Sequence, residues 1–158
     1  MLNFNKKGQT LIEVLLSVGI SVIVISALVL LAINGMRNTR SALARSVGEK
    51  LAVAGIEAVK ITRDINGYGS FAAGGSNYMV SGGLLETCSG CNTCGVDPNP
   101  VFHELSISMG NIGSQVTFCR QIYVSSDSGG KRDVKVRVVW VEGLNTRDVN
   151  LSAEIYDY

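Results

Sequence analysis

The chain has 158 residues, enough for one domain of ordinary size, with 46% hydrophobic and only 17% charged residues. That balance excludes an intrinsically disordered chain, which requires low hydrophobicity and high net charge. With 14 basic and 13 acidic side chains the formal charge is +1, so no excess of cations is available to neutralise a phosphate backbone. Mean hydropathy is positive, +0.26, and the apolar residues are concentrated near the N-terminus.

Residues 14–33 read VLLSVGISVIVISALVLLAI, and no charge stands between Glu13 and Arg37. A helix of this length rises about 30 Å, the thickness of a bilayer hydrocarbon core. Ser17, Ser21 and Ser26 interrupt the run, but their hydroxyls are able to bond back to the preceding turn, and Gly19 and Ala27 permit close helix packing. A soluble core helix is seldom this long without a polar stripe. A secretory signal peptide would share the basic start at Lys6 and Lys7, yet the run is long for one. No clear A-x-A cleavage site follows it, and NGMRNTRSALARSVGEK continues as helix. Basic residues do not orient the span, because Lys6 and Lys7 precede it while Arg37, Arg40, Arg45 and Lys50 follow.

The junction before the span is KKGQTLIE, residues 6–13. A short basic leader ending in Gly, a Glu five residues on and a long apolar run together resemble the class III leader of type IV pilins and pseudopilins. The resemblance implies cleavage between Gly8 and Gln9 by a membrane-embedded prepilin peptidase, followed by N-methylation of Gln9. It makes Glu13 the fifth mature residue, the one that meets the N-terminal amine of a neighbouring subunit during assembly. Gln9 departs from the Phe usual at the first mature position. The helix-breaking Pro common in the membrane half is also missing, since the prolines are Pro98 and Pro100, so a less kinked helix is expected. Physical chemistry agrees about Glu13. An ionisable group in a span costs about 2.5–3.5 kcal/mol at the bilayer centre and is normally retained with a partner. Cleavage would create an amine four residues away, on about the same helical face.

Beyond the span, Leu43, Val47, Leu51, Ala54, Ala58, Ile61 and Ile65 recur at steps of three and four. One helix is therefore expected over residues 10–65, its second half packing on a globular head through this stripe, which Gly48 and Gly55 make small. Residues 66–100 are rich in Gly, Ser and Asn and read as a long surface loop. Alternation predicts four strands, 101–109, 115–124, 134–142 and 149–156, with hairpin turns at 126–130 and 143–145. Trp140 and Tyr156 fit sheet packing.

The expected class is α+β, a long N-terminal helix with its first half transmembrane, packed on an antiparallel sheet. This is also the pilin-like layout the resemblance implies. The division would be a leader at 1–8, an assembly half of the helix at 9–35 and a head at 36–158 containing a four-stranded sheet. The C-terminal strands, VRVVWVEGLNTRDVNLSAEIYD, resemble the final strand pair of minor pilins and the smaller pseudopilins.

Cys88, Cys91, Cys94 and Cys119 all lie in the head. Their C-x2-C-x2-C run fits zinc or iron–sulfur ligation, with Cys119 or His103 as a further ligand. An even count in an oxidising space fits disulfides instead. On that reading one long bridge joins Cys119 to the 88–94 cluster and a short one closes within it. His103, the single histidine, falls on the face of Leu105, Ile107 and Met109 and reads as a satisfied core or edge residue. No nucleophile elbow or phosphate-cradling glycine run is present, so no enzyme activity, cofactor or metal is expected.

The resemblance thus implies a structural subunit, a minor pilin of a type IV pilus, assembled through its apolar helix. Its partners would be other pilin subunits, the peptidase and methylase, an inner-membrane assembly platform and, before assembly, membrane lipid; no nucleic acid is expected. It would start as a single-pass inner-membrane protein and end in an extracellular pilus or a periplasmic pseudopilus. The alternatives are a pseudopilin of a type II secretion or DNA-uptake machine, and a membrane-anchored cysteine-rich binding domain.

Overall fold

A computed structural model describes residues 6–72, 75–81, 83–88, 102–108 and 115–157. The chain divides into two units, Met1–Ala42 and Leu43–Tyr158. A single helix, α1 (Lys6–Asn66), begins four residues earlier than the apolar pattern implied and continues through the boundary between them.

In the first unit the apolar side chains of α1 are exposed throughout, including Leu11, Ile23 and Leu31. By length and composition this is a helix able to cross a membrane, with a mean hydropathy of 2.9 over its most apolar window. The serines are satisfied locally, as expected. Ser17 Oγ donates to the Val14 carbonyl at 2.8 Å, Ser21 Oγ to Ser17 at 2.7 Å and Ser26 Oγ to Val22 at 2.8 Å. Their polarity therefore needs no water.

The second unit contains the end of α1, a 3₁₀ turn (Tyr68–Ser70) and six strands: β1 (Ser76–Ser81), β2 (Leu84–Thr87), β3 (His103–Ser108), β4 (Gln115–Val124), β5 (Lys131–Glu142) and β6 (Asn145–Tyr156). Gly67, at φ +84°, ends α1 and donates its N–H to the Arg63 carbonyl at 2.8 Å. The strand order is β2-β1-β4-β5-β6, all neighbours antiparallel. β3 joins the same edge of β4 as β1, pairing residues 115–120 while β1 takes 122–124.

Among the described residues the sheet thus has six strands, not the four predicted. β1 and β2 form inside the segment read as loop, where glycines flank apolar runs too short to register alone. What supports them is tertiary. Tyr78 of β1 is buried edge-on against Phe71, ring centroids 6.0 Å apart. In β2, the Leu85 N–H donates to Thr62 Oγ1 of α1 at 2.9 Å, and that hydroxyl donates in turn to the Ala58 carbonyl. β5 and β6 begin three and four residues before the predicted starts, joined by a two-residue turn at Gly143 and Leu144. Val101 and Met109, at the ends of the first predicted strand, lie outside the described residues.

The seam of α1 on the sheet also differs from prediction. Val47, Leu51 and Ala58 face the core as expected, but Leu43, Ala54, Ile61 and Ile65 are exposed. The seam instead runs through Ala44, Gly48, Ala52, Gly55, Val59 and Thr62. The sheet presents Phe118, Ile122, Val134, Val136, Val138 and Trp140, large side chains that fill the interface. A Cβ added at Gly55 would stand 3.0 Å from Val136 Cγ1, so small helix residues let the backbone approach. On the opposite face of the sheet, Phe102, Cys119 and Val139 form a second, smaller core.

Candidate functional site

The implied processing site lies in the first unit. Lys6, Gly8 and Gln9 have helical backbone, so the Gly8–Gln9 peptide falls in the opening turn of α1. Glu13 is exposed one turn further on, at the start of the exposed apolar run. Among the described residues it makes no ion pair, so its carboxylate is available to an outside cation.

The cysteines are in the second unit. Cys88 follows β2, its N–H donating to the Asn77 carbonyl at 3.2 Å. Cys119 is buried in β4, beside Phe102 and Val139. Both are disulfide-bonded. Cys91 and Cys94, and with them the pairing, lie outside the described residues. Among those residues no cluster of three metal-ligating side chains occurs. His103 is half-buried on the helix side of β3, opposite Arg120, but among the described residues its buried Nδ1 has no hydrogen-bond partner. That corrects the expectation of a satisfied histidine. Trp140 packs against Phe118 in the core as expected, whereas Tyr156 is exposed and donates its hydroxyl to Glu154.

Two buried arginines escaped sequence reading. Arg132 is only 5% exposed; its Nη1 donates to the Ala72 carbonyl at 2.9 Å and the Ser125 carbonyl at 3.3 Å. Its guanidinium lies 5.1 Å from the centroid of the Tyr68 ring. Tyr68 donates its hydroxyl to Asp127, at 3.0 Å, and Asp127 also accepts from the Gly130 N–H. This cluster fastens the segment after α1 to the β4–β5 hairpin. The available signal was parity, since Arg132 shares the face of Val134 and Val136. Arg120, also 5% exposed, donates from Nη1 to the Leu51 carbonyl at 3.3 Å. Burial pushes its guanidinium below the ordinary arginine range.

Surface charges on β5 and β6 are paired across the strands. Lys131 Nζ lies 2.6 Å from Glu154 Oε1. The contact raises the Lys131 ammonium above its ordinary value, and bonds from Lys131 and then Tyr156 hold the Glu154 carboxyl below its own. Arg137 Nε lies 3.3 Å from Asp148 Oδ2, an ion pair without hydrogen-bond geometry.

Residues 3–33 match the family model described as the prokaryotic N-terminal methylation motif. That match covers the basic leader, Gly8, Glu13 and the apolar run, and it supports a type IV pilin-like prepilin. The α+β arrangement of an N-terminal helix on an antiparallel sheet is pilin-like as well. No curated protein and no solved structure matches the chain.

Proposed function

We propose that this chain is a minor pilin, a structural subunit of a type IV pilus, made as a prepilin and cut between Gly8 and Gln9. The observation that carries the reading is the methylation motif at residues 3–33, followed from Leu11 to Ile33 by a helical run whose apolar side chains are all exposed. Before assembly the run is stored in the inner membrane. After cleavage Gln9 carries the new amine, which is methylated, and Glu13 pairs with the corresponding amine of a neighbouring subunit. The helix then exchanges lipid for contacts with other pilin helices in the filament, driven by packing and by removal of an unpaired charge. The minor rather than major role rests on the C-terminal strand pair alone. Cysteines 88, 91, 94 and 119 serve as disulfides that tie the segment between β2 and β3 to β4.

N-terminal sequencing and intact mass of the protein recovered from its host test this. The expected product starts at Gln9 and is heavier by one methyl group. An uncut chain, or a start elsewhere, overturns the reading. Neighbouring secretion rather than pilus genes would assign the same processed subunit to a pseudopilus.

A further inference from the structure

We propose that Asn150 is a modification site, an asparagine that takes an N-linked oligosaccharide from a polyprenyl pyrophosphate carrier outside the inner membrane. Residues 148–152 read DVNLS, and among the asparagines of the chain Asn150 alone begins an N-x-S/T triplet. Leu151 fills the middle position, from which proline is excluded.

The fold puts this motif where a transferase can read it. Side chains two apart on a strand share a face, so Asp148, Asn150 and Ser152 project together, and all three are exposed. Val149 and Leu151 turn the other way, opposite the core residues Val138 and Val136. A glycan on Asn150 therefore displaces no buried side chain. Among the described residues β6 pairs with β5 alone, at one edge of the sheet. An edge strand held by one neighbour opens locally more readily than an inner one, which lets the motif enter an enzyme cleft. Asn150 Nδ2 donates one N–H to Asp148 Oδ2 at 2.9 Å. Among the described residues its second N–H and the Ser152 hydroxyl are left for the enzyme. Asp148 also draws the Arg137 guanidinium to 3.3 Å, so the carboxylate beside the acceptor is already presented to a cation. In the transfer, Nδ2 bonds to the anomeric carbon of the first sugar while that carbon's bond to the pyrophosphate oxygen breaks. The polyprenyl pyrophosphate leaves with the electron pair, Nδ2 gives up one proton, and nothing is oxidised or reduced.

Peptide mass spectrometry of the full chain recovered from its host tests the proposal. Trypsin cuts after Arg147, so the peptide 148–158 carries the motif. The peptide 138–147 is the internal control, because it carries Asn145, exposed on the same strand but with Arg147 where Ser or Thr would be needed. The peptide 148–158 is expected to be heavier by an oligosaccharide, with fragmentation placing the sugar on Asn150. The added mass should vanish in Asn150→Gln and Ser152→Ala and persist in Ser152→Thr. Both side chains are exposed, and an unchanged melting curve confirms that each variant folds. The proposal is overturned if 148–158 is bare, if the sugar sits on Ser152, if Asn145 is modified equally, or if Ser152→Ala keeps the added mass. The inference rests on export of the second unit, as the prepilin reading requires, and one sample separates the two. A start at Gln9 with a bare peptide overturns the glycosylation alone, whereas an uncut chain with the sugar on Asn150 overturns the prepilin reading alone.

Discussion

Gly48 of α1 lies directly against the indole of Trp140, so close that a Cβ on it would stand 2.9 Å from Cζ3. The indole is itself fixed against Phe118, ring centroids 5.6 Å apart, and has little room to yield. Gly48→Val should therefore destabilise the second unit by about 2 kcal/mol, overpacking outweighing any gain in helix propensity. Gly35→Ala is the control, because a Cβ there meets nothing within 4 Å. Trp140 is the single tryptophan, so thermal unfolding followed by its fluorescence reads the seam directly. An unchanged melting point for Gly48→Val would contradict the packing described.

Arg132 should matter more than an ordinary surface arginine. Arg132→Met removes two bonds to backbone carbonyls and the stack on Tyr68, at a cost of about 2–3 kcal/mol. Hydrogen exchange should rise first at residues 68–72 and 125–130, which the guanidinium holds together. Tyr68→Phe loses only its bond to Asp127 and should cost about 1 kcal/mol. Equal exchange profiles in wild type and Arg132→Met would argue against the clamp.

The Lys131–Glu154 contact predicts a titration with a definite sign. Glu154 has a depressed folded pKa, so its contribution is present above the unfolded carboxyl value and lost as pH falls through the folded one. Lys131 has a raised folded pKa, so its contribution is complete below the unfolded amine value and lost as pH rises through the folded one. Carboxyl carbon shifts of Glu154 followed against pH should show a midpoint below the ordinary range. Lys131→Met should move that midpoint upward, and no movement would refute the pairing.

Disulfides at Cys88 and Cys119 predict that neither takes up an alkylating label until the protein is reduced. Labelling released by a chelator without reductant would point instead to a metal. Cys119→Ser should cost about 2–4 kcal/mol, because the bridge restrains a long loop in the unfolded chain.

Glu13→Ala should leave membrane insertion intact and abolish recovery in sheared, pelleted filaments. Removing a carboxylate favours insertion, while in the proposed assembly the amine of the neighbouring subunit would lose its counter-ion. Filaments incorporating the variant at the wild-type level would remove the assembly role from Glu13.

Much of this protein is written along one dimension. The apolar run and the methylation motif at residues 3–33 were legible because both are carried by the composition and spacing of adjacent residues. β5 and β6 were legible because alternation of Val134, Val136 and Val138 against Lys135 and Arg137 needs no partner to be seen. β1 and β2 were not, since short runs among glycines become strands only when the edge of β4 and Thr62 satisfy their backbone groups.

The sequence by itself determined where the chain meets apolar surroundings and which strand faces turn inward, because periodicity and hydropathy are local properties. Only the tertiary structure decided which side of α1 that core touches. Large sheet side chains such as Trp140 and Val136 take the space, so the helix approaches through Gly48 and Gly55 rather than through Ile61 and Ile65. It also decided that Arg120 and Arg132 are buried, because the carbonyls of Leu51, Ala72 and Ser125 that receive them come from distant parts of the chain. Close packing rewards volumes that fit across an interface, and that fit exists only once both sides are in place.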